Sequence, residues 1–205
     1  MAAYLFVLLA GFAAGCLSGV IGTGSSIMLL PVLVHHFGPK QAVPIMAIAA
    51  VMANLSRVLA WWREVDWKAV AAYAVTGVPA AAVGARTLLG LPANVIEISL
   101  GLFFLAMIPV RHLLMRLQWQ ARLWHLAIAG AVIGFLTGIV LSTGPLSVPV
   151  FLAYGLVQGA FLATEAASSL FIYISKVLTF REFGALPAEV ILQGLIVGAS
   201  LMAGT

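Results

Sequence analysis

A short glycine-rich stretch, residues 15–21 (GCLSGVI), recurs in altered form as residues 134–140 (GFLTGIV). Each copy is followed by a Thr-Gly pair and then by a proline. A second motif recurs at a similar spacing, as 56–59 (SRVL) and 175–178 (SKVL), and Arg-Glu follows each copy. A low-complexity sequence can produce the match of glycines by chance, but it would rarely produce the second match as well. The repetition predicts two structurally equivalent halves.

The composition indicates a membrane protein. Hydrophobic residues make up 63% of the chain and charged residues only 8%, whereas soluble domains are about half apolar and about a quarter charged. The net charge of +4 is divided among short clusters between long neutral runs, which is a membrane pattern and not a nucleic-acid surface. The linkers are too short for a soluble domain, so function is expected within the membrane segments. The single cysteine, Cys16, excludes a disulfide framework.

Two apolar runs are too long for one membrane crossing. Residues 1–39 and 123–164 contain no Asp, Glu, Lys or Arg, yet a bilayer core needs only about 20 helical residues. We expect the chain to turn back at 22–26 and again at 142–145, where Gly, Ser, Thr and Pro cluster. The charges, glycines and prolines predict helices near residues 3–21, 25–37, 42–62, 68–89, 93–111, 160–180 and 187–204, with a broken segment over 123–164.

The predicted fold class is an all-α polytopic membrane protein with two inverted repeats, each opening with a broken helix or re-entrant hairpin. If each opening hairpin adds no net crossing, each half crosses three times, and the second half enters from the opposite side. The expected units are a first repeat over 1–111, a basic cytoplasmic loop over 112–122 and a second repeat over 123–205. Because nothing after residue 202 corresponds to 93–111, the second repeat is expected to be shorter by one segment.

The distribution of cations predicts the orientation. Cytoplasmic loops of membrane proteins carry an excess of Lys and Arg. The loops 62–68 and 111–122 are therefore placed in the cytoplasm, and the N-terminus outside. These loops hold Arg63, Lys68, Arg111, Arg116 and Arg122, and all five tryptophans flank them, whereas the opposite connections hold Lys40, Arg86 and Arg181.

The two interrupted segments are the strongest candidates for a transport site, since broken membrane helices free backbone groups to bind a substrate. The helices that start near Ser25 and Pro145 are expected to point their N-termini inward, where free N–H groups favour an anion. The candidate residues in the breaks are Gly22, Thr23, Gly24, Ser25, Ser26, Ser142, Thr143 and Gly144. The alternative is that these breaks, and the Gly-x-x-x-Gly spacing before them, serve close helix packing.

Two cations, Arg57 and Lys176, occupy equivalent positions within predicted helices. Charges inside a membrane are costly and are candidates for function. Both lie near a helix end, however, so snorkelling to the interface is the competing interpretation. Asn54 lies on the face of Arg57 and completes the binding candidates. Glu165, the only acid well within the apolar stretch of the second half, is a candidate for proton coupling or for pairing with a cation.

Enzyme motifs are absent from the sequence. It contains no Gly-x-Ser-x-Gly, no His-Glu-x-x-His, no phosphate-binding loop and no histidine cluster with metal-ligand spacing. We therefore expect no catalytic residue, no cofactor and no metal site.

The repeat and its breaks, residues 19–26 (GVIGTGSS) with Pro31, 138–149 and the region of Arg57, resemble the sulfite exporter TauE/SafE family of membrane permeases. The resemblance implies a multi-pass protein of the bacterial cytoplasmic (inner) membrane. It also implies transport of small anions, mostly sulfur-containing ones such as sulfite or sulfonates. Gly24-Ser25-Ser26 stands where the family usually has three glycines.

The predicted function is therefore secondary transport of a small sulfur-containing or organic anion, by alternating access of the two halves. The expected partners are that anion and the lipid bilayer, without nucleic acid, and self-association into a homo-oligomer is left open. Two alternatives are a non-transporting membrane subunit or assembly partner, in which the glycines only pack helices, and a channel. Repeat symmetry favours a transporter over a channel because it already supplies an alternating mechanism.

Overall fold

The computed structural model describes residues 2–21, 25–116, 120–140 and 143–205, and within these ranges the chain forms α-helices and no β-strand. A short 3₁₀ turn, Trp62–Glu64, joins the third helix to the fourth. The helices are α1 Ala2–Ile21, α2 Ser25–Phe37, α3 Pro39–Ala60, α4 Trp67–Leu89, α5 Ala93–Arg116, α6 Leu123–Val140, α7 Gly144–Ala153, α8 Gln158–Glu182 and α9 Ala188–Gly204. The prediction of an all-α protein is confirmed over these ranges.

The α2–α3 junction shows how local sequence sets a helix boundary. Gly38 has a φ of 72°, a left-handed conformation that glycine adopts without a steric penalty. Pro39 then begins α3, where its missing N–H needs no partner. As a result α3 starts before the predicted residue 42, and it ends at Ala60 instead of residue 62.

Helix α5 is longer than predicted. It continues past residue 111 to Arg116, because the intervening residues include Leu and Met, which favour helix, and no glycine or proline. The segment expected as a basic loop over 112–122 therefore begins as helix. Near its other end, the Ala121 amide donates a hydrogen bond of 2.9 Å to the Ala153 carbonyl, which ties this segment to the end of α7.

Five helices in the described ranges are long and apolar enough to cross a membrane. They have 18 to 25 residues, close to the roughly 20 that a bilayer core requires. Shorter apolar helices lie in α1, α2, α7 and α9. The five spans are Lys40–Ala60, Trp67–Leu89, Ala93–Val110, Leu123–Val140 and Gln158–Glu182. The chain is therefore a multi-pass membrane protein.

Helices at equivalent positions in the sequence repeat make equivalent packing contacts. Helix α6 packs on α4 as its counterpart α1 packs on α9, and α4 packs on α8 as α9 packs on α3. The counterparts α3 and α8 run antiparallel, since Arg57 near the end of α3 pairs with Glu165 in the first third of α8. At the other ends of these helices, Val43 and Phe180 line one cavity.

Glycines allow the closest of these contacts. A Cβ atom on Gly134 or Gly138 of α6 would overlap the α4 backbone, and one on Gly15 of α1 would overlap the backbone of α9. A Cβ atom on Gly19 would lie 3.0 Å from the carbonyl oxygen of Thr205. The glycines that precede the two breaks therefore pack helices against each other, as small residues do in membrane proteins.

Candidate functional site

A polar cavity lies where the two halves meet, at the starts of α2 and α7. Its volume is about 40 Å³, which is room for a few water-sized groups. Both halves contribute hydroxyl, amide and charged side chains to a wall that is polar despite the apolar chain around it. The lining residues are Ser25, Ser26, Ala50, Ala53, Asn54, Arg57, Tyr73, Thr137, Thr143, Gly144, Glu165, Ser169, Ile172 and Tyr173.

The cation in the cavity wall is Arg57. Only 7% of this residue is exposed, so the snorkelling interpretation is wrong for it. Its Nη2 donates a hydrogen bond to Asn54 Oδ1, while the Asn54 amide donates to the Ala50 carbonyl at 2.8 Å. Asn54 therefore holds the guanidinium from one side, one helical turn away on α3.

The acid in the cavity wall is Glu165, which is 3% exposed. Its Oε2 lies 3.5 Å from Nη1 of Arg57. Its Oε1 accepts hydrogen bonds from the hydroxyls of Ser147 on α7, at 3.1 Å, and Ser169 on α8, at 2.9 Å. The ion pair thus joins the first half to the second across the cavity.

The second predicted cation, Lys176, lies behind the wall. It has no exposed surface, so it does not snorkel either, and it is not among the residues that line the cavity. Its ammonium donates a hydrogen bond of 2.7 Å to the Thr137 carbonyl and lies 5.4 Å from the ring centroid of Phe180. Because that carbonyl is in the last turn of α6, Lys176 satisfies a group that a helix end leaves without a partner.

The N-termini of the two short helices meet this cavity. Ser25 begins α2 and Thr143 precedes α7, and both are buried in the wall. The Thr143 hydroxyl bonds to the Thr137 hydroxyl and does not cap its own helix. The first turn of α7 therefore lacks a side-chain cap from its N-cap residue, and helix N-termini of this kind favour anions.

Several predicted site residues lie outside the described ranges: Gly22, Thr23, Gly24 and Ser142. Of the other predicted site residues, the structure brings Ser25, Ser26, Asn54, Arg57, Thr143, Gly144 and Glu165 to the cavity wall. Lys176 stands apart from them. No three His, Cys, Asp or Glu side chains come together as metal ligands among the residues described.

The sequence interpretation missed two tyrosines. Tyr173 lines the cavity together with Ser26. It lies two helical turns after Glu165, with Ser169 between them on the same face, so the four-residue spacing could have indicated it. Tyr73 of α4 carries no such local signal, because only the packing of α4 against the second half brings it to the wall.

Together these features define a class: a multi-pass helical membrane protein with a cation-containing polar cavity that residues from both parts of the chain line. The chain belongs to the sulfite exporter TauE/SafE family, whose model matches residues 7–205. Membership of this family indicates a membrane transporter of sulfur anions and fits a protein that is not an enzyme. Searches of curated proteins and of solved structures return no match.

Proposed function

We propose that this protein is a secondary transporter that moves a small sulfur-containing or organic anion, such as sulfite or a sulfonate, across the bacterial cytoplasmic membrane. The observation that carries the proposal is a buried guanidinium, that of Arg57, in a small hydroxyl-lined cavity that both halves build. A buried cation of this kind is expensive in lipid and marks a substrate pathway by default.

Arg57 is the proposed main ligand of the anion. A guanidinium presents N–H groups in a planar fork that matches oxyanion geometry, and charge-assisted hydrogen bonds of this kind are about twice as strong as neutral ones. Ser25, Ser26 and Thr143 add hydroxyl groups at the two helix starts. Lys176 lies behind the wall, where it offsets the negative end of α6. The cavity size suits an oxyanion of a few atoms.

Alternating access is the proposed mechanism, with the two halves as inverted repeats. The antiparallel arrangement of α3 and α8 supports it, since equivalent helices that cross in opposite directions belong to inverted halves. The exchange of equivalent contacts, α4 with α6 and α9 with α1, supports it further. In such a pair the two halves can exchange conformations, so that the cavity opens first to one side and then to the other.

The proposed orientation places the α3–α4 connection in the cytoplasm. Asp66 of that connection bonds through its amide to Thr164 near the start of α8, so these segments lie at one end of the molecule. The described tryptophans Trp61, Trp62, Trp67 and Trp124 are exposed in this region. Exposed tryptophans next to cations are typical of a membrane interface on the cytoplasmic side.

Anion-dependent stabilisation of the purified protein tests the proposal. An anion present at about 100 times its Kd should stabilise the folded state by about 2.7 kcal/mol. We expect sulfite, methanesulfonate or thiosulfate to raise Tm, and acetate to do so less. Liposomes that contain the protein should then show flux of the stabilising anion.

A matched set of variants locates the site. The double variant Arg57→Gln/Glu165→Gln removes both members of the ion pair, so no unpaired charge stays buried, and it should lose the anion-dependent rise in Tm. Arg63→Gln, a change at an exposed cation, should keep it. Stabilisation of the double variant equal to that of the wild type would refute the Arg57 site. Binding without flux would favour a non-transporting membrane subunit.

A further inference from the structure

We propose that Glu165 is a tethered competitor of the transported anion, so that the anion enters the cavity together with one proton. This inference rests on the proposed function, and it adds the ion to which transport is coupled. In the resting state the carboxylate of Glu165 forms an ion pair with the Arg57 guanidinium, which is the group that the substrate has to bind. The substrate gains Arg57 only when a proton neutralises that carboxylate.

The geometry of the carboxylate supports this exchange. Its two oxygens have different surroundings: Oε1 is anchored by the hydroxyls of Ser147 and Ser169. Oε2 is buried and, among the described residues, has no hydrogen-bond partner, and its ion-pair contact with Arg57 is long at 3.5 Å. Because the contact at Oε2 is long, a neutral carboxyl group can turn Oε2 away from the guanidinium while Oε1 keeps its two hydrogen bonds.

The charges that face Glu165 support the same stoichiometry. The cation Arg57 faces it from α3, and the phenol of Tyr73 faces it from α4. On its own helix α8, Tyr173 shares the cavity wall, and Lys176 lies behind that wall. The serine and threonine hydroxyls from α2, α6 and α7 are neutral. Arg57 and Glu165 together carry no net charge, so an added anion alone would leave the wall of this buried cavity with an uncompensated negative charge, which is costly.

The exchange balances in charge and atoms. A proton binds Oε2 of Glu165, the ion pair with Arg57 opens, and the anion takes the vacated position on the guanidinium. Before the step the cavity holds one positive and one negative group, and after it the same. Ser147 and Ser169 keep their hydrogen bonds to Oε1, because a protonated acid still has an acceptor oxygen. Release of the anion to the other side reverses the step.

Lys176 is the competing source of positive charge. It lies next to the cavity wall and, within the described part of the chain, forms no ion pair. If Lys176 compensated the anion, binding would need no proton and Glu165 would not affect its pH dependence. The two cases therefore differ in a quantity that can be measured, the number of protons taken up with each anion.

Calorimetric titration of the purified protein measures this number. The ligand is methanesulfonate, because sulfite itself takes up a proton near neutral pH. Titrations in buffers of different ionisation enthalpy give the protons bound per anion, and we expect about one for the wild type. Over the pH range in which one proton is taken up with each anion, the affinity should rise about tenfold for each unit by which the pH falls.

The Glu165→Gln variant removes the competing charge and keeps a carbonyl oxygen for Ser147 and Ser169. It should bind methanesulfonate without proton uptake, with an affinity that does not change with pH and that exceeds the wild-type affinity at high pH. Glu97→Gln, which changes an exposed carboxylate on α5, is the matched control and should bind as the wild type does.

In the Glu165→Gln variant Arg57 loses its ion pair with Glu165, which could unfold the protein, so the variant is purified with methanesulfonate. This anion should replace the missing carboxylate and raise the Tm of the variant more than that of the wild type. The Glu165→Asp variant keeps the acid and should keep proton uptake. Wild-type binding without proton uptake, or the same pH dependence in Glu165→Gln, would overturn this inference alone. Absence of binding to the wild type at every pH would overturn the proposed function, and this inference with it.

Discussion

At the scale of single residues, the repeat places two cations in equivalent positions and the structure gives them different surroundings. Arg57 faces the cavity and pairs with a carboxylate, whereas Lys176 bonds to a helix-end carbonyl behind the wall. The difference follows from Glu165, for which the first half has no acidic counterpart; the equivalent position is Met46. A single acidic residue thus makes the two halves chemically distinct.

Lys176→Gln should weaken anion binding about tenfold, which corresponds to about 1.4 kcal/mol. The amide can still donate to the Thr137 carbonyl, so the variant loses a nearby charge and not a contact with the anion. The measurement is the Kd of methanesulfonate at fixed pH and ionic strength. Lys40→Gln, an exposed cation at the opposite end of α3, is the control. A loss as complete as that of the Arg57 double variant would mean that Lys176 touches the anion.

At the scale of helices, packing depends on small residues at matched places. Glycines on α6 bring it against α4, and those on α1 bring it against α9. Such contacts replace the hydrophobic effect, which does not drive helices together within lipid. The same close packing sets the positions of α6 and α4, and therefore of Thr137 and Tyr73 in the cavity wall.

Gly134→Ala should lower the free energy of unfolding by about 1–3 kcal/mol, as overpacking does. Its Cβ atom would overlap the backbone of Gly77 on α4, so the two helices would have to separate. Gly101→Ala on α5 is the control, since nothing lies within 4 Å of the added Cβ atom. It should be neutral or slightly stabilising, by about 0.5–1 kcal/mol. Thermal unfolding in detergent compares the two, and equal Tm values would contradict the close contact.

The start of α4 depends on Asp66. Its Oδ1 accepts hydrogen bonds from the amides of Lys68 and Ala69, at 3.0 and 3.1 Å. Burial and the charge of the neighbouring Asp66 carboxylate raise the pKa of Tyr154. The Asp66 amide donates a hydrogen bond of 2.9 Å to the Thr164 hydroxyl, so Asp66 also joins the start of α4 to α8.

Asp66→Ala should lower the free energy of unfolding by about 1–2 kcal/mol, because the first turn of α4 loses its cap. Asp66→Asn keeps an oxygen for the same two amides and should cost much less. Chemical or thermal unfolding of both variants in detergent provides the comparison. If the alanine and asparagine variants were equally stable, the capping role would be wrong.

At the scale of the whole molecule, the cavity lies between two halves whose central helices, α3 and α8, run in opposite directions. An ion pair, Arg57 with Glu165, crosses between them. Under the proposed mechanism this pair opens and closes with each cycle. Ser25 and Thr143, at the two helix starts, should then each be exposed to solution first on one side of the membrane and then on the other.

Thr143→Cys in a Cys16→Ser background should react with a membrane-impermeant thiol reagent from either side of the membrane. Cys16 is replaced because its thiol is free and exposed. Labelling is measured in inside-out and right-side-out vesicles, and the transported anion should slow it on both sides. Ile128→Cys, on an exposed apolar face of α6, is the control and should not react. Labelling of Thr143→Cys from one side only would contradict alternating access.

Local and periodic features of this protein can be predicted from its amino-acid sequence. They include the membrane character, most helix boundaries, the break before α7 and the repeat. They also include the two cations and the acid, which stand out because charged residues are rare in membrane segments. Each follows from composition or from short motifs, because a helix begins, ends and turns according to neighbouring residues. Seven of the predicted site residues line the cavity for the same reason, since they lie in the breaks or on the polar face of a helix.

Which side chains lie next to each other depends on the packing of the helices. It placed Arg57 in the cavity wall and Lys176 behind it, and it brought Tyr73 from α4 to the site. It also paired α6 with α4 and α1 with α9. A repeat makes two positions equivalent in sequence, but their environments depend on side chains from distant segments. Contacts between residues that are far apart in the sequence produce no periodic pattern in it. The different environments of the two cations are therefore visible only in the folded protein.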